Sequence, residues 1–81
     1  MKKSTFVNIN DVEVVKAFVN DMSKFNKDLV SIDAVSGRYV ICATSLLGLF
    51  SLDLSKQIQI EIESEDEALI DQVIEVAKNY A

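Results

Sequence analysis

The sequence predicts an α/β (α+β) domain: an open-faced two-layer sandwich with a four-stranded, mainly antiparallel sheet and three helices on one face. Three observations predict it. Hydrophobic spacing switches repeatedly between the strand period and the helix period along the 81 residues. The clearest strand, Gln57–Glu63, sets Ile58, Ile60 and Ile62 on one face and Gln59, Glu61 and Glu63 on the other. Finally, an apolar fraction of 49% is enough to fill one small core without disulfides or metals. A strand with one polar face needs helices on the other, and the expected order is β-α-β-β-α-β-α. Residues 1–81 read as a single domain, with no internal repeat and no linker.

Each element has its own signal. Thr5–Ile9 alternates, with Val7 and Ile9 on one side, and predicts the first strand. Asn10, with Glu13 three positions on, has the pattern of a capping box and opens a helix. Its predicted buried stripe is Val12, Val15, Phe18, Val19 and Met22, with Lys16 and Asn20 turned to solvent. Ser23 to Asp28 is the exit loop. Leu29–Val35 and Arg38–Ala43 form two strands joined at Ser36-Gly37, because tight hairpin turns require positive φ. Val30, Ile32 and Ala34 are expected on the same side as Tyr39, Ile41 and Ala43.

Leu46 to Leu52 is apolar without alternation, and reads as a short helix capped by Ser45. Gly48 inside it costs about 1 kcal/mol of helix stability relative to alanine, so close backbone packing is expected there. After Gln57–Glu63, Ser64 and Glu67 suggest a second capping box, opening a helix that runs to about Tyr80. Leu69, Ile70, Val73, Ile74, Ala77 and Tyr80 form its stripe.

Composition narrows the function classes. The net charge of −5 disfavours nucleic acid, whose binding depends on neutralising phosphates. The acidic run from Glu61 to Glu67 reads as a solvated strand end followed by the acidic first turn of a helix. No apolar stretch is long enough to span a bilayer. Met1-Lys2-Lys3-Ser4-Thr5 is basic but leads into Asn8, Asn10 and Asp11 rather than an apolar segment, so no secretory leader is expected. Cys42 stands alone, which excludes an intrachain disulfide and a thiolate metal site. A cytoplasmic protein is the expectation, with no metal and no cofactor.

Catalysis is not expected. The chain contains no histidine, the most versatile general base at neutral pH. Two isolated glycines, Gly37 and Gly48, cannot build a phosphate loop. Cys42 lacks a base to activate it. Glu61, Glu63 and Glu65 are expected on a solvated face, without the apolar surroundings that a catalytic carboxyl group needs.

Ser45 carries the functional interest. Its plain role is a helix cap; its further reading is a phosphorylation site, since a phosphate there would meet backbone N–H groups at the helix start. Leu46, Leu47 and Phe50 follow it, and any of them left exposed would form a docking patch.

The segment Ser45-Leu46-Leu47-Gly48-Leu49-Phe50-Ser51-Leu52 and the order of elements resemble the phosphocarrier HPr family of the bacterial sugar phosphotransferase system. That family reads Ser-Ile-Met-Gly-Val-Met-Ser-Leu at this place. Ser23-Lys24-Phe25 and the Ser36-Gly37 turn are similar to family features too. The resemblance implies that Ser45 is the serine phosphorylated by an HPr kinase and that Leu46, Leu47 and Phe50 dock partners. Protein partners are then an HPr-kinase-like enzyme, a transcription regulator or a phosphotransferase-system enzyme.

The chain departs from the family at the phosphocarrier site. Where HPr carries His-Ala-Arg-Pro after a longer loop, this sequence reads Asn10-Asp11-Val12-Glu13-Val14. Phosphoryl relay is therefore expected to be lost. Asp11 lies near the missing histidine; without acidic neighbours to hold a metal, it reads as a cap rather than a phosphoryl acceptor. Two readings stay open: a regulator switched at Ser45, and a constitutive interaction module with the same fold.

Overall fold

The computed structural model describes residues 1–81. Four strands, β1 (Lys2–Val7), β2 (Ser31–Ser36), β3 (Tyr39–Cys42) and β4 (Ile58–Glu63), form one sheet in the order β1-β4-β2-β3. All neighbours are antiparallel. Three helices, α1 (Val12–Met22), α2 (Leu46–Leu49) and α3 (Glu67–Ala77), complete the order expected from the sequence, and a 3₁₀ turn at Lys78–Tyr80 follows.

The core explains the layering. Ile58, Ile60 and Ile62 of the central strand β4 are fully buried, as are Val7 beside them and Ala34 on β2. Helix α1 brings Val15, Phe18 and Met22 to this face, and α3 brings Ile70, Val73 and Ala77. Each large apolar side chain so buried is worth about 1.5–3 kcal/mol, and seventeen buried apolar residues, three of them alanines, form a single cluster, so the two layers have one shared core. Gln59 and Glu61 lie on the other face of β4, which no helix covers.

Local details shift the boundaries. The first strand is Lys2–Val7 rather than Thr5–Ile9, because Lys2 to Val7 pairs in full with Glu63 to Ile58. Ile9 lies beyond the strand yet is fully buried. The cap of α1 is Asp11, whose carboxylate accepts from the Glu13 N–H at 2.9 Å; Asn10 is not the cap. Val12, expected in the buried stripe, is exposed because it is the first helical residue and precedes the packed turns.

The hairpin closes on Ser36 and Tyr39, so its two loop residues are Gly37 and Arg38, one position later than Ser36-Gly37. Gly37 has φ of 61°, the left-handed conformation glycine adopts freely. Ala34 stands opposite Ile41, and both face the core, while Tyr39 at the hairpin tip is solvent-exposed.

The second capping box does not form. Asp66 caps α3, accepting from Ala68 and Leu69 N–H groups. Ser64 is instead buried, where its hydroxyl donates to the Leu29 carbonyl at 2.6 Å and accepts from Asp66 N–H at 3.1 Å. It ties the strand preceding α3 to the segment entering β2.

Candidate functional site

The segment from Ser45 to Leu52 lies between β3 and β4 and packs on β3 and α1. Ser45 has extended backbone and accepts from the Gly48 N–H at 3.2 Å, so it caps α2 as the sequence predicts. The helix is only four residues long, a single turn. A macrodipole builds from aligned peptides over several turns, so the charge preference of this N-terminus rests on its few N–H groups. Ser51 closes the turn, its hydroxyl donating to the Gly48 carbonyl at 2.6 Å.

Helical spacing then divides the apolar residues into two faces. Leu46 and Leu49 point inward: Leu49 is fully buried and Leu46 is half-buried against the core. Leu47 and Phe50 point outward, with Leu47 85% exposed and Phe50 41% exposed. Of the three residues expected to dock partners, Leu47 and Phe50 thus form the outer face and Leu46 anchors it. Ser45 sits at the head of the same turn, half-buried.

Gly48 is held by contact. A Cβ at this position would lie 2.5 Å from Cγ2 of Ile41 and 2.8 Å from Oγ of Ser45. The backbone of α2 therefore approaches β3 as closely as glycine allows, which is the packing the sequence reading expected. The exit is fixed by Asp53, whose carboxylate accepts from the Ser55 hydroxyl at 2.6 Å and the Ser55 N–H at 3.2 Å. These hydrogen bonds, with Lys56 nearby, hold the Asp53 carboxyl below its ordinary pKa.

Asp11 is exposed at the start of α1 and engaged in its cap. No group of three or more His, Cys, Asp or Glu side chains comes together to hold a metal ion. Cys42 is exposed on β3, its sulfur 3.1 Å from the Thr44 hydroxyl. No helix is long and apolar enough to cross a membrane.

With this geometry in view, comparison with known proteins bears on the fold. No protein-family model matches the sequence, and no curated protein matches it. Among solved structures, HPr-C-His from Thermoanaerobacter tengcongensis is similar, with a TM-score of 0.65 and 20% sequence identity. The alignment covers 94% of this chain and 91% of that one. The chain has the HPr fold. The HPr-like architecture thus spans nearly the whole chain.

The sequence reading did not separate Leu46 from Leu47. The signal was present in the spacing, since Leu46–Leu49 and Leu47–Phe50 are alternative i,i+3 pairs, and of these four only Leu49 is fully buried.

Proposed function

We propose that this chain is a cytoplasmic HPr-like regulatory protein related to the phosphoenolpyruvate-dependent sugar phosphotransferase system. It binds protein partners, performs no catalysis, lacks histidine phosphocarrier activity and is switched by phosphorylation of Ser45. The observation that carries this reading is an HPr fold on a chain with no histidine, in which a serine still heads an exposed apolar turn.

The chemistry is transfer of the γ-phosphoryl group of ATP by a kinase. A bond forms between Ser45 Oγ and phosphorus, the bond to the ADP oxygen breaks, and the hydroxyl proton passes to a kinase base. The product adds about −1.5 to −2 charge at the head of the Leu47–Phe50 face. A partner that docks apolar surface alone is then disfavoured, and one that offers arginine or lysine beside an apolar pocket is favoured. The protein partners in this reading are an HPr-kinase-like enzyme, which acts on the unmodified serine, and a transcription regulator or a phosphotransferase-system enzyme.

The test is intact-mass measurement after incubation with HPr kinase and ATP, beside Ser45→Ala. A gain of one phosphate that the variant lacks supports the switch; an unchanged mass removes it.

A second reading, a constitutive interaction module with no phosphorylation, is favoured by one observation. The Ser45 hydroxyl is already engaged with Gly48 N–H and the residue is half-buried, whereas Leu47 stands open to solvent. Partner capture that survives Ser45→Ala and is lost with Leu47→Asp selects this reading.

A further inference from the structure

The two edges of the sheet are built differently. Edge strand β1 carries Lys2 and Lys3, and charged edge residues are a common defence against strand pairing. Edge strand β3 reads Tyr39-Val40-Ile41-Cys42, with no charge and no proline, and none of its residues is buried. Tyr39 and Val40 are 64% and 62% exposed.

Hydrogen-bond phase shows which groups of β3 are free. The Ala43 N–H donates to the Ile32 carbonyl at 3.0 Å. Hydrogen-bonded positions alternate along an antiparallel ladder, so Ile41 and Tyr39 also turn their main-chain groups toward β2. Val40, between them, turns its N–H and C=O outward, away from the sheet.

The open face adds two rows of side chains. One crosses the sheet in register as Phe6, Gln59, Val35 and Val40, and ends at the β3 edge. The next row is Ser4, Glu61, Asp33 and Cys42. Arg38, at the hairpin turn, lines the groove at this end of the face with Phe6, Val35 and Gln59. Arg38 takes part in none of the ion pairs of the chain, and Asp33 has only the Ser31 hydroxyl at 3.4 Å.

We propose that β3 pairs antiparallel with β3 of a second copy of this chain, about a two-fold axis at Val40. In this register the two Val40 residues exchange their free N–H and C=O groups. The Phe6–Val35–Val40 row of one copy continues into the same row of the other. Arg38 of each copy stands opposite Cys42 of the second, one strand short of its Asp33. Strands lie about 4.8 Å apart, so the guanidinium and carboxylate are within side-chain reach across two strands. Charge selects this register: sliding by two residues either way moves Arg38 off the acidic row. The reading is independent of whether Ser45 is phosphorylated.

Sedimentation velocity on the intact chain, diluted from about 1 mM to about 10 μM, tests it. The expected result is a reversible dimer whose dissociation constant rises about tenfold or more with Val40→Lys and with Arg38→Glu. The double change Asp33→Lys with Arg38→Glu restores association, because the charges are exchanged rather than removed. Val40→Cys in a Cys42→Ser background gives a disulfide-linked dimer with oxidised glutathione, since facing hydrogen-bonded residues sit about 5.5 Å apart. That arm stands even if Val40→Lys fails to fold. A monomer throughout the series overturns the proposal. So does a dimer as tight in Val40→Lys and Arg38→Glu as in the unmodified chain, or one dissolved by Leu47→Asp alone.

Discussion

The Tyr80 hydroxyl donates to the Asp21 carboxylate at 2.5 Å, joining the last turn of the chain to the end of α1. The same ring stands edge-on to Phe18, centroids 5.2 Å apart at 86°, so an apolar contact and a polar one hold the two segments together. The Asn8 N–H also donates to the Tyr80 carbonyl, at 2.6 Å.

This contact makes stability pH-dependent at both extremes. The hydrogen bond from Tyr80, with Lys24 beside it, holds the Asp21 carboxyl below its ordinary pKa of 3.8. Its contribution is therefore present above 3.8 and is lost as pH falls through the lowered folded value. Burial, and then the bond to Asp21, pushes the Tyr80 hydroxyl from 10.0 up to about 12. That contribution is full below 10.0 and disappears as pH rises through about 12. In urea titrations, the stability gap between the unmodified chain and Tyr80→Phe should be flat near neutrality and narrow toward both ends. A gap that is constant with pH would show that the hydroxyl contributes nothing through this pair.

Gly48→Ala pits two effects against each other. Alanine gains about 1 kcal/mol of helix propensity, but its methyl would sit 2.5 Å from Cγ2 of Ile41 and 2.8 Å from Oγ of Ser45. Overpacking costs about 1–3 kcal/mol, and displacing Ser45 weakens the cap as well, so net destabilisation is expected. Ile41→Ala removes the opposing methyl. Thermal melts of both single variants and the double variant should show coupling of about 0.5–3 kcal/mol in the relieving direction. Strict additivity would mean that α2 moves away instead.

Ser64 and Asp66 divide the work the sequence assigned to Ser64 and Glu67. Ser64→Ala removes the part-buried hydrogen bond to the Leu29 carbonyl, at a cost of about 0.5–1.5 kcal/mol. Asp66→Ala removes the α3 cap for about 1 kcal/mol. Glu67→Ala, which a Ser64–Glu67 capping box would make costly, should stay within about 0.5 kcal/mol of the unmodified chain, or about 2–4 °C in melting temperature. A large loss in Glu67→Ala with none in Asp66→Ala would restore the capping box.

These residues also show what was legible in the sequence. Period-two spacing placed Ile58, Ile60 and Ile62 on one buried face, because only alternation puts three isoleucines on the same side of a strand. The Ser45 cap and the tight approach at Gly48 were equally readable, since each follows from one residue's own chemistry. Caps beside competing polar neighbours were not. Asn10 and Asp11, or Ser64 and Asp66, are both competent acceptors, and the choice is made by where tertiary packing starts the helix. The row Phe6, Gln59, Val35 and Val40 was invisible for a different reason: its members come from four strands, and strand order and register are not local properties.

Leu47 and Leu49 are separated by one residue and predict opposite outcomes. Leu49 is fully buried, so Leu49→Ala should cost about 2–5 kcal/mol through lost burial and a residual cavity. Leu47 is 85% exposed, so Leu47→Asp should stay within about 0.5 kcal/mol of the unmodified chain. Chemical denaturation of both variants separates the two roles before any partner is tested. If Leu47→Asp melts normally and abolishes partner capture, the loss lies in the interface rather than in the fold. If it unfolds the chain, the outward face of α2 is part of the core and the docking surface there is removed.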